Sequence, residues 1–186
     1  MSLVVTPGAS DAESYASLAE ADAYFSARGI TAWTGDDATK EAALRRATSY
    51  LDNQYRDRWV GVRSGETQAL AWPRVDGARG RYRGFTQYLV DSDGFEIASD
   101  AVPVQVKRAT MEAALLVIGG TSLEPSLAHG GAIVSQRSRV DVIEEETTYA
   151  PGASTMDRHT AIEGLLTGLV TSMPGAAGGT VRLVRN

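Results

Sequence analysis

The 186-residue chain contains no cysteine, which removes disulfides, thiol nucleophiles, thiolate zinc sites and iron–sulfur clusters together. Aromatic residues are scarce, at 7%, so the expected core is one of thin helices packed closely on alanine, with no thick aromatic slabs. Long apolar runs are missing as well. The longest, at 113–118 and 164–170, fall far short of the roughly 20 residues that cross a bilayer. The first residues lack the basic and apolar regions of a secretory signal, so the expectations are no membrane association and a chain that stays inside the cell. Positive charge is not in excess: 18 Lys and Arg face 23 Asp and Glu, for a formal charge of -5. A protein that coats phosphate backbones with its whole surface carries the opposite sign.

Catalytic signatures are absent too. His129 and His159 lack the H-x-x-x-H or H-E-x-x-H spacing of a metal-binding helix face and read as surface or capping residues. No nucleophile elbow, phosphate loop or dinucleotide fingerprint occurs, and the expectation is a protein that is not an enzyme and holds no cofactor or metal. "DSDG" at 91–94 opens like a calcium loop, but the twelfth position is Val102 where a glutamate is needed, so it reads as a plain turn. The run Glu144, Glu145 and Glu146 points its carboxylates in different directions and reads as solvated surface.

What remains is a helical pattern. Ser17 followed by Glu20 forms a capping box; Leu18, Ala21 and Phe25 share a face; Gly29 stops the run, predicting a helix over 18–28. A second helix starts near Asp36 or Asp37 and carries Ala43, Ala47, Tyr50, Leu51 and Tyr55 to about Arg56. The short connection predicts an antiparallel hairpin with Trp33 plugging its open end and Trp59 its other end. Pro103 suits the first position of a third helix, 103–118, which ends at Gly119 and Gly120. Ile162, Leu165, Leu166 and Leu169 predict a fourth over 159–170. Between these last two, residues 132–149 alternate and are rich in β-branched residues, predicting a small hairpin or edge strand. The fold class is therefore mainly α: a bundle of about four helices, a small β element and a flexible C-terminal tail.

Two segments break the helical pattern. From 61 to 100, Gly, Pro and Asp interrupt every periodic run, which reads as a long interaction loop with one helical turn at 67–72. It carries Arg74, Arg79, Arg81 and Arg83 interleaved with Tyr82 and Phe85. That composition grips phosphates and stacks on bases, or docks on an acidic protein surface, and the second is favoured here. Residues 171–186 read as a glycine-rich linker and a docking tail, in which Val181, Leu183 and Val184 alternate with Arg182 and Arg185. Such a pattern adds to a sheet edge or groove on a neighbour, or folds back on the strand at 139–143 of its own subunit. Residues 1–170 then form one domain.

Taken together, "SYASLAEADAYFSARG", "EAALRRATSYLDNQYRDRWVG", "QALAWPR" and "VPVQVKRATMEAAL" resemble the small proteins of tailed phages labelled DnaT-like single-stranded-DNA-binding proteins. Residues 75–88 form an insertion relative to the usual shorter loop. These proteins resemble head-tail connector subunits. The resemblance implies a homo-oligomeric, dodecameric ring docked beneath the portal protein and above a downstream neck or tail-terminator protein. Genomic double-stranded DNA would pass through the channel without sequence-specific binding, in the virion neck, after assembly in the host cytoplasm. Single-stranded-DNA binding is the alternative that the family label implies.

Overall fold

A computed structural model describes residues 3–77, 88–91, 93–123, 133–139, 144–149 and 159–171. It is mainly helical. α1 (Leu18–Ala27) opens with the expected capping box: Glu20 N–H donates to the Ser17 hydroxyl, and Ser17 N–H donates to the Glu20 carboxylate. α2 (Asp37–Gln54) is capped by Asp36, whose carboxylate accepts from Thr39 N–H. α3 (Val104–Ile118) follows Pro103, which sits at the N-cap and not, as expected, at the first helical position. Its fixed φ still directs the chain into the helix.

α4 (Thr160–Leu165) is shorter than the expected 159–170. Its apolar period continues, but Gly168 takes a positive φ of 85° and Val60 N–H donates to Leu169 carbonyl oxygen. An extended bridge from Trp59 to Val170 replaces the last helical turn. Here a backbone partner distant in sequence overrides local periodicity.

The helices bury their small faces together. Ala43, Ala47 and Leu51 of α2 and Val106, Ala109 and Ala113 of α3 are all within 2% of complete burial, and α2 with α3 is the most extensive helix pairing. Alanine at these positions lets helix backbones approach closely. Trp33 packs on Phe25 at 4.7 Å between ring centroids, and its indole N–H donates to Asp22 at 2.7 Å, closing the α1–α2 end as expected. Polar side-chain pairs give the helix directions. Glu20 meets Lys107 and Tyr24 meets Glu112, so α1 runs alongside α3 in the same sense. Asp22 meets Lys40 while Glu13 meets Arg45, so the opening segment runs against α2.

The expected loop at 61–100 is partly ordered into two small antiparallel pairs. β1 (Val62–Arg63) pairs with β2 (Arg74–Val75), and β3 (Leu89–Val90) pairs with β4 (Glu96–Ile97). The helical turn expected at 67–72 does not form. Gln68 instead reaches its side chain back to Leu70 and Pro73 carbonyl oxygens and holds the segment in bends. The expected hairpin is present as β5 (Ile133–Arg139) against β6 (Glu144–Tyr149), with its register irregular between Ile133 and Ser135.

Candidate functional site: a clasp and its arginine-rimmed cleft

The segment at 59–75 lies against the C-terminal end of α2 and is held there by polar side chains. The Trp72–Pro73 peptide bond is cis. Trp72 is 1% exposed and meets Trp59 edge to face at 5.8 Å, while Trp59 meets Tyr55 at 5.5 Å. Behind this aromatic stack the Tyr15 hydroxyl donates to Asp52 and accepts from the backbone N–H groups of Ala71 (3.0 Å) and Trp72 (3.3 Å). Ala71 N–H also reaches the second Asp52 oxygen at 3.0 Å.

Arg74 completes the clasp. Nε donates to Val60 carbonyl oxygen at 2.7 Å, Nη2 to Gly61 at 2.6 Å and Nη1 to Ala71 at 3.1 Å. One guanidinium thus gathers three backbone carbonyls that would otherwise lack donors. Gly61 sits under the same approach: a Cβ there would lie 2.3 Å from Val75 carbonyl oxygen, and its φ is 68°. Only glycine fits that position.

Burial sets the protonation of this group. It pushes the Asp52 carboxyl above its ordinary value against the pull of Tyr15, Ala71 and Arg74. It also pushes the Tyr15 hydroxyl up, and the Asp52 charge adds to that shift. For Arg74 burial acts downward, opposed by Tyr15 and Asp52.

Outside the clasp opens a cleft of about 540 Å³, bordered by Asp52, Asn53, Arg56, Arg63 and Arg74. Arg56 and Arg63 are exposed on its rim, and Arg63 donates to Gln68 carbonyl oxygen at 3.1 Å. The two exposed guanidiniums of Arg56 and Arg63, beside the half-buried Asp52 carboxyl, make a local positive surface on an acidic chain. That surface can hold an acidic side chain or a phosphate. Among the described residues no group of three or more His, Asp or Glu is placed to hold a metal ion.

A second surface lies on the β3–β4 hairpin. The chain turns after Asp91, whose carboxylate accepts from the backbone N–H groups of Asp93 (3.0 Å) and Phe95 (2.9 Å) and whose carbonyl oxygen accepts from Gly94 N–H. The turn holds Phe95 71% exposed, and on the other face of the pair Val90 is 54% and Tyr88 40% exposed.

The sequence-predicted residues separate. Arg74 is buried and its donors are spent on its own backbone. Arg79, Arg81, Tyr82, Arg83 and Phe85 lie outside the described residues, as do Val181, Arg182, Leu183, Val184, Arg185 and His129. His159 stands at the N-cap of α4 and packs edge-on against Tyr50 at 6.0 Å. Sequence reasoning passed over Arg56, Arg63 and Phe95. The signal for Phe95 was its place just after a turn, where an apolar residue with no helical partners has nowhere to be buried.

Among the described residues no helix is long and apolar enough to cross a membrane. No curated protein and no solved structure matches the chain. The family model described as "Putative DnaT-like ssDNA binding protein" matches residues 1–186, and the chain belongs to that family.

Proposed function

We propose that the chain is a structural subunit of a phage head-tail connector, forming a ring beneath the portal that extends the DNA channel and joins head to tail. The β3–β4 hairpin is the observation that carries this reading. A turn pinned by the Asp91 carboxylate presents Phe95, Val90 and Tyr88 to solvent. Exposed apolar side chains on an ordered turn and strand suit a protein partner, because little entropy is lost when they dock. The small antiparallel pairs point the same way. Each is two-stranded, and such hairpins gain most when a neighbour covers them. In this proposal the protein works in the virion neck after assembly in the host cytoplasm, between the portal and a downstream neck or tail-terminator protein, with no catalytic step and no cofactor.

The family description favours a second reading, single-stranded-DNA binding. Arg56 and Arg63 on the cleft rim support it, together with Arg79, Arg81 and Arg83 farther along the sequence. On a chain of charge -5, a few such contacts give weak binding that salt removes.

Native mass measurement of the purified chain, alone and with its portal protein, tests the first reading. The expected result is a monomer or weak oligomer that becomes a closed ring on the portal, and a Phe95→Ser variant that melts normally but forms no ring. Micromolar or tighter binding of a single-stranded oligonucleotide in about 0.15 M salt, lost on changing Arg79, Arg81 and Arg83 to Ala, with no ring on the portal, overturns it in favour of the second.

A further inference from the structure

Toward the end of α2 opposite the clasp, a groove of about 370 Å³ is lined by the apolar residues Leu3, Leu18 and Ala19, by Ser17, and by the carboxylates Asp22, Asp37 and Glu41. Lys40 braces Asp22 at 2.9 Å and Arg45 braces Glu41 at 3.3 Å, both from outside the lining. Burial tends to raise the Asp22 carboxyl, but Lys40 and the Trp33 indole outweigh it and hold it below the ordinary carboxylate value. The groove therefore combines apolar area with fixed negative charge. Its fitting occupant is a short segment carrying both aliphatic and basic side chains.

The chain contains such a segment. Val181, Leu183 and Val184 alternate with Arg182 and Arg185, with no acidic residue among them. We infer that the groove receives the 181–185 segment of a second copy of this chain, its carboxylates taking the arginines and its apolar lining taking Leu183 and its aliphatic neighbours. The inference rests on the ring reading, since it supplies the contact that would link one subunit to the next.

Length argues for a second copy. Thr171, the last described residue before the tail, is tied to Arg58: Thr171 N–H donates to Arg58 carbonyl oxygen at 2.7 Å, and Arg58 Nε donates to Thr171 carbonyl oxygen at 3.0 Å. Arg58 stands just beyond the C-terminal end of α2, while Asp37 and Glu41 lie in its first two turns. The 18 residues of α2 separate the two places by about 27 Å. The ten steps from Thr171 to Val181 span about 33–36 Å when drawn out straight, but a glycine-rich chain of that length averages only about 16–19 Å end to end, so the groove of the same subunit is reached only by stretching the linker well beyond its mean, before any detour around the bundle. A neighbour set head to tail brings the two ends together. Such a contact joins two different surfaces, and repetition of it closes a ring when the rotation allows.

The test is a fluorescence titration of full-length protein with a labelled peptide of residues 179–186, run beside the portal assay. Saturable, salt-sensitive binding is expected. It should fall at least tenfold in the Asp37→Lys/Glu41→Lys protein and return when the peptide carries Arg182→Glu and Arg185→Glu. Ala19→Trp, a change at an exposed lining position, blocks the groove without replacing the braced carboxylates and should weaken binding equally. No saturation below millimolar peptide overturns the assignment, as does indifference to the charge exchange or to Ala19→Trp. A peptide of residues 78–86 that binds at least as tightly overturns it too, because the groove would then read charge alone. In a mixture, the groove-changed protein and a tail-changed protein should form a one-to-one complex that neither forms alone; absence of that complex with peptide binding intact assigns the groove to its own subunit's tail and also overturns the inference. A ring on the portal without peptide binding leaves the connector reading standing and removes this contact, whereas peptide binding without a ring does the reverse.

Discussion

The helical frame of α1, α2 and α3 and the clasp at 59–75 each contain a buried part, yet those parts are held by different means. In the frame, burial falls on Ala, Leu, Val and Phe side chains, and polar pairs such as Glu20–Lys107 and Asp22–Lys40 lie at its partly exposed edges. In the clasp, backbone groups are buried without a helix or a long strand to pair them, and Arg74, Tyr15, Asp52 and Gln68 supply the missing partners. Frame stability is thus spread over apolar area, whereas clasp stability is concentrated in a few polar atoms. Deleting polar groups at nearly constant volume should hurt the clasp and spare the frame.

The largest effect is expected at Arg74. Replacing it with Met keeps much of the side-chain volume and strands the carbonyls of Val60, Gly61 and Ala71. Charged hydrogen bonds contribute about 1.5–3 kcal/mol each without adding fully, so Arg74→Met should cost about 3 kcal/mol in urea unfolding. Arg74→Lys should recover less than half, because one ammonium cannot span the fork. A loss below about 1 kcal/mol would erase the contrast between the two regions.

A smaller loss is expected at Tyr15. Tyr15→Phe removes one oxygen at constant ring volume, taking a donor from Asp52 and an acceptor from Ala71 and Trp72. About 2 kcal/mol should be lost. The frame control is Thr110→Val, since Thr110 is equally buried but its hydroxyl only returns to Val106 carbonyl oxygen within its own helix, at 2.9 Å. That change should stay below about 1 kcal/mol.

The same contrast explains what was legible in the sequence. Frame signals are local: Ser17 with Glu20, Asp36, Gly29 and the apolar spacing of α2 lie within a few residues of what they control, and each element formed near its expected bounds. Clasp signals are not local. Nothing near Arg74 reveals that its guanidinium will meet carbonyls 13 and 14 residues earlier, so an arginine among glycines reads as a partner-facing charge. The overextended α4 fails for the same reason. Leu166 and Leu169 keep helical spacing and are buried, but Leu169 offers its carbonyl to Val60 of the clasp segment.

The mildest test uses acid, under which the two regions should respond with opposite sign. For Glu20, burial acts to raise the carboxyl, but Lys107 and the Ser17 cap outweigh it and the net shift is downward; Asp22 is lowered in the same way by Lys40 and Trp33. A carboxyl lowered by folding contributes stability that is present above its unfolded value and is lost as pH falls through the folded one, so the frame should weaken between about pH 5 and 3. Asp52 is raised. The folded state then holds its proton where the unfolded state has released it, so its contribution falls as pH rises through that interval and returns on acidification. Asp52→Asn removes this offset and should make the acid loss of melting temperature steeper. Lys107→Met removes one frame pair and should make it shallower. At neutral pH that second change should cost only about 0.5 kcal/mol, because both partners are partly exposed and water already screens them. If the two variants shift the acid limb in the same direction, Asp52 is titrating as an ordinary surface carboxylate and the clasp does not enclose it.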